Sequence, residues 1–175
     1  MDYKNNSGIT LISMVLTVII ILIITSAMIF NTKNQLAMRS VQSLSNDIET
    51  LNAKVDEYYL KYGELPKLCD YITDFKNSMD YRANQQNAKL NTKINKNDGK
   101  EYIVIDLEKL EGLTLTYGYD DEYKKVKENG NVMDEDDAYV ADEIFVINTR
   151  SHQIYFPHGV FVDNGNNHKI MYYMF

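Results

Sequence analysis

From Ile9 to Phe30 the side chains are almost continuously apolar. Only the small hydroxyls Thr10, Ser13, Thr17, Thr25 and Ser26 interrupt the run, and no charged residue lies between Lys4 and Lys33. A stretch of that length without charge can cross a bilayer as a helix. Beyond Asn31 the apolar positions do not stop; they change period. Val41, Leu44, Ile48, Leu51, Val55, Tyr58 and Tyr62 recur at spacings of three and four, while Asp47, Glu49, Lys54, Asp56 and Glu57 fall off that stripe. This is the pattern of an amphipathic helix, with its stripe facing a sheet or a partner helix in a coiled coil. No Gly or Pro interrupts the chain from Ile9 to Tyr62. One helix of ~54 residues would be near ~80 Å long, so its second half must stand outside a hydrocarbon layer about 30 Å thick. Gly63 and Pro66 then predict its end, the first as a left-handed cap and the second as a residue that cannot continue a helix.

The pattern after Pro66 mixes periods. Leu68, Ile72, Phe75 and Met79 predict a second amphipathic helix with Cys69 at its start, and the Asn-, Gln- and Lys-rich residues 84–100 read as an exposed loop. Residues 102–105 form a short apolar run, Leu107, Leu110 and Leu113 suggest a helical turn, and residues 113–119 suggest a strand. Two hairpins follow, one pairing residues 143–149 with 152–156, the other pairing 160–163 with 169–175 across Asn164-Gly165-Asn166-Asn167. Pro157 between them belongs at an edge or bend. The expected fold is α+β: a long N-terminal helix, transmembrane in its first half and amphipathic in its second, packed against a C-terminal antiparallel sheet.

The start of the chain narrows the reading. A cleaved secretory signal wants a basic leader, an apolar stretch of about 7–15 residues and a small-x-small site. Met1-Asp2-Tyr3-Lys4 is barely basic, and no Ala-x-Ala-like site follows Phe30. A simple membrane anchor fits the length. A third pattern is Lys4-Asn5-Asn6-Ser7-Gly8-Ile9-Thr10-Leu11-Ile12-Ser13, a short polar leader ending in Gly, followed by a hydroxyl and aliphatic residues that open the apolar helix. This resembles the N-terminus of type IV pilins and type II secretion pseudopilins. Tyr62-Gly63-Glu64-Leu65-Pro66 also resembles the turn that closes the long helix in that family.

The resemblance implies a pilin-like fold, cleavage by a prepilin peptidase between Gly8 and Ile9, and methylation of the new terminal Ile9. It divides the chain into a leader (1–8), a transmembrane and filament-core helix (9–32), its amphipathic continuation (33–62) and an extracytoplasmic α+β domain (63–175). It further implies a structural subunit, not an enzyme, of a pilus, secretion or DNA-uptake filament. Its packing helix would begin with Ile9, Leu11, Ile12, Ser13, Val15 and Leu16. Its partners would be other pilin-like subunits, the prepilin peptidase, and the assembly platform and ATPase. Its location would be the cytoplasmic membrane in a single pass, domain outside, and from there a cell-surface filament. The fifth position after the cleavage site is usually Glu in the family, and here it is Ser13. That departure leaves a terminal ammonium without its counter-ion and points to a minor subunit or to a lineage that manages the amine another way. The alternative is a membrane-anchored extracytoplasmic binding module that never polymerises.

Charge and chemistry alter this picture only at the C-terminal end. The chain of 175 residues has a net charge of -7, and residues 101–175 alone hold six Lys and Arg against fifteen Asp and Glu. Such a surface repels phosphates, so no direct nucleic-acid partner is expected. The single cysteine, Cys69, leaves no intrachain disulfide. Acidic runs at Asp120-Asp121-Glu122 and Asp134-Glu135-Asp136-Asp137, with Asp142 nearby, offer the hard oxygens that calcium takes, and Asp134, Asp136 and Asp142 are the first ligands to test. Acidic runs in loops are more often simply solvated. His152, His158 and His168 are candidates for zinc, although isolated strand histidines are more often surface residues. Cys69 reads as a small hydrophobe rather than a nucleophile. The 14 tyrosines, with no Trp beside them, read mainly as core, while Tyr172, Tyr173 and Phe175 must be buried in their own sheet or offered to a neighbour. No other cofactor is expected.

Overall fold

A computed structural model describes residues 7–71, 74–94, 101–133, 140–163 and 169–175, with residues 7–12 and 27–34 described as helical backbone only. Helix α1 runs without a break over Ser7–Tyr62. The chain divides into two compact units, residues 1–36 and Ala37–Phe175. In the first unit, hydroxyls return to their own helix: Thr17 Oγ1 donates to Met14 O at 2.8 Å, Thr25 Oγ1 to Ile21 O and Ser26 Oγ to Leu22 O, both at 2.7 Å. Such back-bonding satisfies a polar group without a partner outside the helix.

In the second unit the stripe on α1 is core. Val41, Leu44, Ile48, Leu51 and Val55 are buried in one hydrophobic cluster with side chains of the strands and of the shorter helices, all within their own unit. It ends earlier than expected, since Tyr58 is half-buried and Tyr62 exposed. Helix α1 stops at Gly63, whose φ of +73° suits glycine and whose N–H bonds Tyr59 O at 2.8 Å.

Strand β1 (Lys67–Asp70), helix α2 (Phe75–Gln85), β2 (Ala88–Leu90), β3 (Tyr102–Ile105), a 3-10 turn (Leu107–Lys109), helix α3 (Asp121–Asn129), and strands β4 (Val146–Asn148), β5 (Ile154–Tyr155), β6 (Val160–Asp163) and β7 (Lys169–Tyr172) follow in order. They build two sheets. One has the order β1-β3-β4-β5 and is antiparallel throughout. The other, β2-β7-β6, is mixed, with β2 parallel and β6 antiparallel to β7.

This corrects the expected fold. The chain is α+β, but its shorter helices alternate with strands, and its C-terminal half does not form a single antiparallel sheet. Nor does the transmembrane half stand: among the described residues no helix is long and apolar enough to cross a membrane. The pilin-like arrangement of one membrane-spanning helix on one antiparallel sheet therefore does not describe the chain.

Smaller differences have local causes. Leu68 and Cys69 lie in β1 because Pro66 precedes them and β3 pairs with Lys67, Cys69 and Asp70, with Leu68 at a register shift. Helix α2 begins later, at an Asp74 cap whose Oδ1 accepts Asn77 N–H at 3.2 Å, and buries Phe75, Met79 and Ala83. The loop expected over residues 84–100 contributes β2, which pairs with β7; residues 95–100 lie outside the described set. Residues 113–119 form no strand. The Thr116 and Tyr117 N–H groups bond the Asp47 carboxylate at 2.8 and 3.0 Å, which supplies the acceptor a neighbouring strand would have given. Both C-terminal hairpins are present, and Pro157 lies in the turn between β5 and β6.

Candidate functional site

Two places concentrate what the sequence singled out. The first is the start of α1. Gly8 and Ile9 lie in its first turn, and residues 1–6 of the leader lie outside the described residues. The side chains of Ile9, Leu11 and Ile12 also lie outside them. Ser13, Val15 and Leu16 are exposed, and so is every residue from 13 to 26. The large apolar side chains from Met14 to Ile24 are between 46% and 71% exposed. Seven consecutive residues, Val18 to Ile24, point in all directions around a helix of 3.6 residues per turn, so this surface is apolar all round rather than along one stripe.

The second place is a charged cluster that joins four segments of the folded unit. Asp142, one of the three calcium candidates, is buried. Its carboxylate pairs with the Arg82 guanidinium of α2 through Oδ2, and Oδ1 lies 2.8 Å from His158 Nδ1. Arg82 also donates from Nε to His158 O at 2.8 Å and reaches His158 Nδ1 from Nη2 at 2.7 Å. Because a guanidinium only donates, that nitrogen accepts when it bonds Arg82, which leaves the imidazole proton on Nε2. The Glu143 carboxylate lies 3.3 Å from the same Nδ1. Glu122 Oε2 accepts the backbone N–H groups of Asp142 and Glu143, both at 2.9 Å, and Asp120 Oδ1 caps α3 by accepting from Glu122 and Tyr123.

The electrostatics follow from this crowding. Burial first, and then Arg82, pushes the His158 imidazole below its ordinary 6.5, while Glu143, Glu122 and Asp120 oppose the shift. Glu143 is held above the usual carboxylate range, chiefly by a hydrogen bond shared with the Asp120 carboxyl and then by burial. A guanidinium, an imidazole and carboxylates so bonded fasten segments together; this is not the arrangement that activates a nucleophile. Asp134 and Asp136 lie outside the described residues. Among the described residues no group of three or more His, Cys, Asp or Glu side chains is placed to hold a metal ion.

The remaining candidates fall elsewhere. His152 adopts a left-handed backbone with φ of 56° and packs its ring edge-on against Tyr59 at 5.2 Å; His168 lies outside the described residues. Cys69 is buried, and burial first, then Asp70, raises its thiol to about 11, so the thiolate is disfavoured. Tyr71, Tyr102, Tyr123, Tyr155 and Tyr173 are core, whereas Tyr59, Tyr62, Tyr81 and Tyr119 are exposed. Strand β7 is central in its sheet, which pairs it on both edges.

Sequence reasoning missed Arg82, Asp47 and helix α3. The α3 signal was present: Asp120 as cap, acidic residues in the first turn, Lys127 in the last and Gly130 after it. Arg82 carried no local signal, because its partners lie 60 to 76 residues away. No family model matches the chain, and comparison with curated proteins and with solved structures gave no significant match.

Proposed function

We propose that the chain is a structural subunit of a type IV pilus-like, type II secretion or DNA-uptake filament, processed after Gly8 and assembled by packing the apolar start of α1 against the helices of other subunits. The observation that carries this reading is the surface over residues 14–24, exposed and apolar all round. A contiguous apolar surface of this kind calls for cover. Each such side chain that becomes fully buried is worth about 1.5–3 kcal/mol. The hydroxyls of Thr17, Thr25 and Ser26 are satisfied within the helix, so a dry environment costs them little.

A cover on all sides is supplied by several helices together and not by one seam, which favours a filament over a pairwise complex. The leader-Gly8-Ile9 pattern adds a route to it through a prepilin peptidase, with the platform and ATPase of the machine as further partners and the cell surface as the location. Ser13 in place of the usual Glu supports a minor subunit. The role is structural, not catalytic. A calcium site on Asp134, Asp136 and Asp142 is a second proposal: the ion would have to replace Arg82 on the Asp142 carboxylate, and a melting temperature that does not change with chelator would rule it out.

The test is a charge inside the apolar surface. Ile20→Lys should abolish co-purification with other pilin-like subunits while leaving the melting temperature of the folded unit unchanged. Normal co-purification of that variant would overturn the reading.

A further inference from the structure

Thr and Ser in an apolar helix commonly hydrogen-bond across to a neighbouring helix, and small residues four apart let two backbones come close. The exposed start of α1 is built for neither. From Met14 to Ser26 the hydroxyl-bearing residues are Thr17, Thr25 and Ser26, and each donates its one proton to its own backbone, at Met14 O, Ile21 O and Leu22 O. Nor do the three mark a seam. Thr17 and Ser26 are nine residues apart, which sets them on opposite sides of the helix, about 180° apart.

The rest of this surface is bulky. Residues 14–24 contain no Gly, Ala or Ser and no charged group. Val and Ile fill seven of these eleven positions, and such branched side chains already hold one rotamer in a helix, so they lose little freedom when covered.

We propose, resting on the filament reading above, that this surface is recognised by shape and area alone: it takes aliphatic helix faces of neighbouring subunits and forms no side-chain hydrogen bond across the contact. A partner's polar group brought there would meet hydrocarbon, or a hydroxyl oxygen whose proton is already engaged, and would lose its water without full replacement. A single buried polar residue can fix the register and number of packed helices; here no such device operates. Neighbours of different sequence therefore fit the same surface, provided that their contact faces are aliphatic.

Two variants of the full chain, co-expressed with the pilin-like subunits of its own cells and isolated in mild detergent, test this. The triple variant Thr17→Val, Thr25→Val, Ser26→Ala removes every hydroxyl of residues 14–26 and nearly keeps their shape. It should recover those subunits within about twofold of the wild type, whereas losing hydrogen bonds across the contact would cut recovery about tenfold or more. Ile20→Lys keeps all three hydroxyls and should cut recovery at least about tenfold. A triple variant that loses its partners together with Ile20→Lys overturns this proposal and leaves the filament reading standing. Normal recovery of Ile20→Lys overturns the filament reading itself, and this proposal with it.

Discussion

The two stretches of α1 have nearly the same propensity for helix and opposite surroundings. Residues 14–24 expose Val, Ile and Leu on every side, while Leu44, Ile48, Leu51 and Val55 of the same helix are 0–1% exposed. Their polar residues differ in the same sense. Thr17, Thr25 and Ser26 bond back to their own helix, whereas Asp47 reaches out to the N–H groups of Thr116 and Tyr117. The second stretch has its partners within the chain; the first has them, on this account, in other chains.

Paired truncations sharpen that contrast most strongly. Leu51→Ala should destabilise the folded unit by about 2–5 kcal/mol, because it removes buried methyls and leaves a cavity. Ile21→Ala should leave thermal unfolding of that unit unchanged and reduce incorporation into filaments. If both variants melted alike, the two stretches would not be in different environments.

A smaller effect is expected at the polar anchor. Asp47→Ala strands two backbone N–H groups of the 113–119 segment, at a cost of about 1–3 kcal/mol by chemical denaturation. An unchanged midpoint would mean that this segment is held by its half-buried Leu113, Leu115 and Tyr117 alone.

The smallest expected effect is in pH. Burial, opposed by the bonds from Tyr117 and Thr116, raises Asp47 above its ordinary 3.8. The folded state therefore binds this proton more tightly than the unfolded state, and the group's contribution to stability is greatest below about pH 3.8 and is lost as pH rises through the raised value. The stability of the wild type relative to Asp47→Asn should accordingly fall as pH rises from about 3 to 6. A difference that grows with pH would reverse the assignment.

Much of the second stretch was legible in the sequence because helical periodicity is local: the positions from Val41 to Val55 and the Gly63 stop needed no knowledge of the rest of the chain. The two hairpins were legible for the same reason, with turn residues between short apolar runs. The division into two sheets was not, since the parallel pairing of Ala88–Leu90 with Lys169–Tyr172 joins residues about 80 positions apart, and Asp47 replaces a strand neighbour for residues 116 and 117 from about 70 positions away. Length and hydropathy predict a membrane crossing from Ile9 to Phe30, whereas no helix among the described residues is long and apolar enough for one. At the candidate sites, the acidity around Asp120 and Asp142 was visible, but its use as a cap and as an ion-pair partner depended on Arg82 and His158, which periodicity does not connect.

The most direct test of the central claim is the intact mass of the mature chain from cells that contain a prepilin peptidase. The account predicts loss of the first eight residues and gain of one methyl group, giving a chain that begins at N-methylated Ile9. A mature chain that still begins at Met1 or Asp2 would contradict it.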